Sequence, residues 1–199
     1  ATPPPIPSPT PRPSPTGPAQ ATLAEAIEAG LAQAQITGDG SPGHGFSSGD
    51  VIHIGLTRTG AAWLEVELPR GTVLLNTTPG FQDMVVARVK GITSGPTDQT
   101  YSPTSKIMLD DDGEQWFLVE AYCLDLYGKS PEFGSNLTLG GMAAPEVLAV
   151  LNAAAQMGRE NASLWATQIA VWATTQDPSR AQVEARVSAD DEDFGQARG

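Results

Sequence analysis

The chain of 199 residues is long enough for one domain with a tail, and 40% of its residues are hydrophobic, which supports a buried core. Its 23 acidic and 11 basic residues give a net charge of -12, which disfavours binding to nucleic acid and to anionic membrane surfaces. A single cysteine excludes an intrachain disulfide and a Cys-rich zinc site, and no apolar run reaches the ~18 residues of a membrane-spanning helix.

The N-terminal region divides into a stalk and a helix. Residues 1–20 alternate proline with serine and threonine, a composition typical of an extended polyproline-II stalk or linker that holds a domain away from a cell surface. Leu23, Ile27 and Leu31 are spaced four residues apart and form an apolar stripe. Residues 21–37 are therefore predicted to form a helix that docks on the domain or acts as an interaction segment.

Short strands follow from about Gly49. The β-branched runs VIHIGLT, WLEVELP, TVLLN and MVVARVKG are separated by glycine, proline, asparagine and aspartate, a pattern typical of strands and turns. The runs SKIMLD and EQWFLVEAYCLDL flank an Asp112–Gly113 turn and predict a hairpin. Strands at this spacing indicate an antiparallel β-sandwich or barrel.

A small helical part follows the strands. Pro145 begins one amphipathic helix, and a second is expected to begin at Asn161 or Ser163 and to end before Asp177–Pro178. The polar residues 188–199 are predicted to form a solvated acidic tail. The predicted fold class is mainly β with α: an antiparallel β-sandwich or barrel, followed by a small helical part and preceded by the stalk.

The one cysteine lies near the end of the longest predicted strand. Strand alternation places Cys123 on the same face as Phe117, Val119 and Ala121, a face that is entirely apolar. The side chain of Cys123 is therefore expected to point into a core. A free cysteine in such a position is most often a small buried hydrophobic residue.

A glutamine in the second helix is harder to explain by packing alone. Gln168 shares the apolar face of that helix with Trp165, Ile169 and Trp172, at i, i+3, i+4 and i+7 spacing. A buried amide without partners costs about 1–3 kcal/mol, so this carboxamide needs a hydrogen-bonding partner. It either bonds to a neighbouring backbone carbonyl or meets Cys123.

A thiol held against a glutamine carboxamide in a dry pocket can displace ammonia and form an internal thioester, which then reacts with an amine such as lysine. Tyr122–Cys123 within AYCLDL, and Gln168 through Trp172 within TQIAVW, resemble the paired motifs of thioester domains in surface adhesins of Gram-positive bacteria. The resemblance covers roughly residues 46 to 175, within a domain assigned to residues 46–187. It implies a β-sandwich associated with a helical part, and covalent capture of amines on a host surface.

The thioester hypothesis assigns a function to each residue of the site. Cys123 supplies the sulfur and Gln168 the acyl carbon of the bond. Three aromatic side chains exclude water from it: Tyr122, Trp165 and Trp172. Asp125 is a candidate base for the incoming amine. No metal site and no cofactor is predicted, since neither histidine pairs with a second ligand at metal-binding spacing.

These features predict an extracellular attachment domain at a cell surface, and not an enzyme that turns over. Its partner is expected to be a surface protein or another amine-bearing ligand. The alternative hypothesis is a structural subunit of an extracellular fibre or surface layer, which has no thioester and self-associates through residues 1–36. A hydrolase with a cysteine nucleophile is disfavoured, because it needs a histidine base and both histidines are far from Cys123 in the sequence.

Overall fold

The computed structural model describes residues 19–38, 49–60, 63–158, 163–187 and 191–197. Within these ranges the strands are β1 (Ala19–Thr22), β2 (Ala32–Gly38), β3 (Gly49–Arg58), β4 (Leu64–Glu67), β5 (Thr72–Asn76), β6 (Met84–Thr93), β7 (Tyr101–Pro103), β8 (Ile107–Leu109), β9 (Glu114–Cys123) and β10 (Leu137–Met142). The helices are α1 (Leu23–Glu28), α2 (Pro145–Met157), α3 (Leu164–Thr175), α4 (Arg180–Glu184) and α5 (Asp191–Gln196). Most of the predicted stalk, residues 1–18, lies outside the described part of the chain, and its last two residues belong to β1.

Six antiparallel strands form a closed barrel. Their order around it is β5, β10, β2, β3, β9 and β6, and pairing between β5 and β6 closes the ring. Closure removes the unpaired strand edges that an open sheet exposes. Strand β7 extends the sheet beside the C-terminal end of β6. The prediction of a mainly β fold with an antiparallel barrel and short helices is confirmed.

The predicted hairpin around Asp112–Gly113 is wrong. Strand β8 pairs with β4 in a three-stranded sheet, β1-β4-β8, whereas β9 belongs to the barrel. The ten-residue strands β3 and β6 occupy the two edges of β9, so the three-residue β8 has no edge of β9 to join. The turn therefore passes the chain from one sheet to the other, and an ion pair between Arg58 and Asp112 ties it to β3.

The helix predicted over residues 21–37 is wrong in its second half. Helix α1 begins at a capping box formed by Thr22 and Glu25 and covers only six residues. Gly30 then adopts a left-handed conformation (φ 65°), and the chain continues as β2. Because β2 pairs with β3 along its whole length, the hydrogen bonds of the barrel outweigh the helical tendency of this alanine-rich and glutamine-rich sequence.

Strand alternation divides the residues of β9 between two hydrophobic clusters. The main core contains the face that was predicted to be apolar, formed by Phe117, Val119, Ala121 and Cys123. Alternate residues of β3 join the same core: Ile52, Ile54 and Leu56. Tyr122 belongs instead to a smaller cluster with residues of α2 and α3: Val147, Leu151 and Val171. The predicted inward orientation of Cys123 is confirmed.

The two helices predicted after the barrel are present, but the C-terminal segment differs from the prediction. Pro145 begins α2, and Ser163 caps α3. The solvated tail predicted over residues 188–199 is wrong for the residues that the structure describes, because α5 forms there and Phe194 is buried in the main core. Asp193 accepts a hydrogen bond from the Ser163 hydroxyl, so its charge lies near the N-terminus of α3, which favours an anion. None of the described helices has both the length and the apolar character needed to cross a bilayer.

Candidate functional site

Cys123 is the last residue of β9, and its side chain is fully buried. On one edge it pairs with Met84 of β6, which is also fully buried. On the other edge, the described pairing with β3 reaches only as far as Ala121. The thiol therefore lies in an apolar core, while Cys123 lies two residues beyond Ala121, the last residue of β9 with a described partner in β3.

Gln168 bonds to the backbone of Cys123 beyond the described pairing with β3. Its side chain is 0% exposed, and its Oε1 accepts a hydrogen bond from the backbone N–H of Cys123 at 2.8 Å. Its Nε2 donates to the backbone carbonyl of the same residue, also at 2.8 Å. The carboxamide thus replaces a neighbouring strand, since a paired strand residue exchanges both of its backbone hydrogen bonds with one partner. Both hypotheses for this amide hold together: it bonds to a backbone carbonyl, and that carbonyl belongs to Cys123.

These two hydrogen bonds, here called the Gln168 clamp, hold the carboxamide against Cys123, the residue that carries the thiol. The carboxamide carbon of Gln168 is bonded to both Oε1 and Nε2, so it lies against the backbone of Cys123. The sulfur is two bonds from the Cα of that backbone. The Cys123 N–H is directed at Oε1, the oxygen that becomes negative when a nucleophile adds to the carbonyl carbon. The Cys123 carbonyl holds Nε2, the nitrogen that leaves in such a reaction.

The surroundings of the thiol keep it protonated. Burial raises the pKa of Cys123, and this is the largest influence on it. A hydrogen bond with the Ser130 side chain and the positive charge of Arg186 lower that pKa, whereas the negative charge of Asp125 raises it further. The sulfur is therefore a neutral thiol with a hydroxyl group beside it, and not a solvent-exposed thiolate.

The chain that follows β9 is fastened to the C-terminal end of α3. Thr175 donates from its hydroxyl to the Leu124 carbonyl at 3.1 Å. Gln176 accepts from the Leu126 N–H at 2.8 Å and donates to Asp125 Oδ1 at 3.0 Å. These contacts fix the helix relative to the strand end, so the direction of the Gln168 side chain is set by more than its own two hydrogen bonds.

Asp125 and the aromatic residues occupy different positions around the pair. Asp125 lies in the turn after β9, where its Oδ1 also accepts from the Tyr127 N–H at 2.8 Å. Trp172 is fully buried in the same core as Cys123, and the partly buried Trp165 packs against that core. Tyr122 is buried on the opposite face of β9, so it backs the strand and does not cover the sulfur.

Three further residues of the site were not identified from the sequence: Ser130, Gln176 and Arg186. Gln176 lies eight residues after Gln168, at the C-cap of α3, and this spacing was a usable signal. Ser130 follows no motif, and Arg186 reaches the site from the segment after α4. Arg186 donates to the carbonyl of Gly128 and so holds the loop that carries Ser130. Their positions depend on tertiary contacts that no local pattern records.

His53 and the acidic turn around Asp111 form local hydrogen bonds in the described structure. The buried His53 hydrogen-bonds through Nε2 to the Asp98 carbonyl at 3.0 Å. Asp111 accepts from the Gly113 N–H within the turn after β8. Across the described residues, no three side chains of His, Cys, Asp or Glu are grouped in a way that could hold a metal ion.

Comparison with known proteins adds no relative to this picture. No protein-family model, no curated protein and no solved structure matches the chain. Any functional assignment therefore depends on the chemistry of the site and on the short motifs around Cys123 and Gln168.

Proposed function

We propose that Cys123 and Gln168 form an internal thioester, and that the chain is a single-use covalent attachment domain at an extracellular surface. The observation that carries this proposal is the buried Gln168 carboxamide, which is held by both backbone hydrogen-bonding groups of Cys123. The two residues come from elements 45 positions apart and meet away from bulk solvent. The resemblance of their two motifs to those of adhesin thioester domains supports the same function.

Formation of the bond exchanges the nitrogen of Gln168 for sulfur. Sγ of Cys123 adds to the carboxamide carbon, the C–N bond breaks, and the nitrogen leaves as ammonia with the proton of the thiol. The Cys123 N–H stabilises the negative charge that develops on Oε1. Ser130, whose side chain hydrogen-bonds the thiol, is placed to carry the proton away from sulfur. Burial of the product then protects it from hydrolysis.

Capture of a partner converts the reactive thioester into a stable amide. An amine nitrogen adds to that carbon, the C–S bond breaks, and sulfur leaves with the surplus proton of the amine as the Cys123 thiol. An amide remains between Gln168 and the partner. Asp125, in the turn next to Cys123, is the candidate base for the amine. Because the amide product is no longer activated, each molecule reacts once, without turnover and without a cofactor.

The extracellular setting is supported by composition. A net charge of -12 favours solubility of an exposed protein, and the proline-rich residues 1–20 suit a spacer. The partner in this proposal is a surface protein that presents a lysine amine. The alternative of a fibre subunit depends on self-association through residues 1–36, and no contact within the described part of the chain favours it over the thioester.

Methylamine labelling tests the proposal. The folded chain is incubated with methylamine, digested and analysed by peptide mass spectrometry. We expect a methylamide on Gln168, because methylamine is a small nucleophile that opens a thioester. Gln176, directly after the same helix, is an internal control, since its amide bonds to Leu126 and Asp125, and it should stay unlabelled.

Two variants complete the experiment. Cys123→Ala removes the sulfur and should abolish labelling of Gln168. Ser130→Ala keeps the sulfur and should slow the appearance of the bond after refolding, without changing the residue that is labelled. Near-UV circular dichroism checks that each variant keeps the native fold. Labelling of Gln168 to the same extent in the wild type and Cys123→Ala, or in neither, contradicts the proposal.

A further inference from the structure

A cavity of about 180 Å³ lies on the outer face of β9, between the barrel and helices α2 and α3. Its polar wall is formed by Arg70, Arg88, Glu120, Tyr122 and Thr167, and the rest by Ala87 of β6 and by leucine and alanine side chains of the two helices. A cavity of about 150 Å³ is enough to hold a molecule of the size of benzene. There is therefore room for a small organic group with a polar head.

The negative charge of Glu120 is already paired with a positive charge at this wall. Glu120 is only 7% exposed, and its Oε2 accepts from Arg88 Nε at 2.8 Å. Its Oε1 accepts from the Tyr122 hydroxyl, also at 2.8 Å. The carboxylate is thus paired and hydrogen-bonded, as a buried charge requires.

Arg70 has no such counterion. Its Nε donates to the Ala87 carbonyl at 3.1 Å and its Nη1 to Asn152 Oδ1 at 2.9 Å, and both of these acceptors are neutral. Within the described residues, no carboxylate forms an ion pair with Arg70. The wall therefore carries two guanidinium groups and one carboxylate, an excess of one positive charge in a chain whose net charge is -12.

We propose that this cavity binds a carboxylate group, with Arg70 as the residue that recognises it. A guanidinium offers its donors in a planar fork that fits the two oxygens of a carboxylate. The leucine and alanine side chains suit a short hydrocarbon stem behind that head group. Arg70, Ala87 and Arg88 also line a neighbouring groove of about 540 Å³, so a longer molecule that bears the carboxylate can continue out of the cavity.

The carboxylate site and the thioester pair lie back to back on β9. Tyr122 lines the cavity and is the chain neighbour of Cys123, but the two side chains belong to different hydrophobic clusters. Binding of a carboxylate therefore does not require the thioester, and the two proposals succeed or fail separately.

An NMR titration tests the inference with defined probes. Butyrate is added at pH 7 and constant ionic strength, and the Arg70 Nε–H signal is followed, together with the backbone amides of Tyr122 and Thr167. We expect saturable shifts with butyrate and none with butyramide, which has the same shape without the charge. A peptide blocked at both ends with a single glutamate, compared with its glutamine counterpart, tests whether a protein-borne carboxylate also fits.

Two charge-matched variants sharpen the result. Arg70→Gln should weaken butyrate binding about tenfold or more, the loss expected for a charged hydrogen bond. Arg180→Gln removes the same charge from α4, where Arg180 pairs with Glu184, and should leave the affinity unchanged. The inference is overturned if butyramide shifts the signals as butyrate does, if neither carboxylate probe shifts them, or if folded Arg70→Gln binds as well as the wild type. If Arg70→Gln does not fold, the contrast between butyrate and butyramide in the wild type decides.

Discussion

The inner face of β9 buries a neutral thiol and the outer face an ion-paired carboxylate, although the residues of the two faces alternate along one strand. On the inner face, Cys123 lies among apolar side chains, and burial raises the pKa of its thiol. On the outer face, the buried Glu120 forms an ion pair with the partly exposed Arg88 and borders a cavity. Strand alternation therefore separates a dry site, suited to a bond that water would destroy, from a polar site suited to reversible binding. Each of the following predictions tests one of these two faces.

The largest effect is expected from Gln168→Ala on the dry side. The substitution leaves the N–H and C=O of Cys123 without a partner and opens a void, so the unfolding free energy should fall by about 3–5 kcal/mol. The unfolding free energy is measured by urea denaturation, with tryptophan fluorescence as the signal. Gln176→Ala is the matched control, because Gln176 is an exposed residue directly after the same helix, and its loss should cost only about 1 kcal/mol. Equal losses for the two variants would mean that the buried clamp is no stronger than a surface contact.

A smaller effect is expected from the titration of the Cys123 thiol when no thioester is present. Because burial raises its pKa, the folded thiol keeps its proton where the unfolded thiol, with a pKa of about 8.5, loses it. This contribution to stability is fully present below pH 8.5 and falls by about 1.4 kcal/mol per pH unit above it. The measurement is the unfolding free energy of the unbonded wild type minus that of Cys123→Ala, from pH 7 to pH 10. A constant difference across this range would show that the inner face tolerates a thiolate.

The smallest effect is expected from Glu120→Gln on the polar side. The side chain of Arg88 is 46% exposed, so water can solvate its charge when the counterion is lost. The Tyr122 hydroxyl can still donate to the amide oxygen of the new side chain. We expect a loss of about 1 kcal/mol or less in the same urea experiment. A loss greater than that of Gln168→Ala would reverse the contrast between the faces.

Much of the candidate site could be predicted from the sequence because its residues follow two local periods. The period of two along β9 places Cys123 inward with Phe117. The helical period of α3 places Gln168 and Trp172 on one buried face. A strand that ends in a buried cysteine and a helix with a buried amide have few ways to pack other than against each other. The contact between Cys123 and Gln168 could therefore be predicted from the sequence.

The rest of the structure depends on pairings between distant segments. Residues 32–38 have a helical composition, yet they form β2 because β3 offers a full edge for hydrogen bonding. The Asp112–Gly113 turn carries a hairpin signal, yet it connects two sheets because β9 is already flanked on both edges. The hydrogen bond between Ser130 and the thiol likewise has no local signature. Such features follow from the order of strands in the barrel, which no sequence period specifies.

The most direct test of the central proposal is the intact mass of the purified chain, kept free of amines, beside that of Cys123→Ala. A thioester between Cys123 and Gln168 predicts that the wild type is lighter than its sequence by one ammonia, while the variant has its full mass. Prior incubation with methylamine should replace this deficit by a gain of one CH2 unit over the sequence mass, the difference between methylamine and ammonia. Full sequence masses for both amine-free proteins would contradict the thioester and would leave the Gln168 clamp as a purely structural contact.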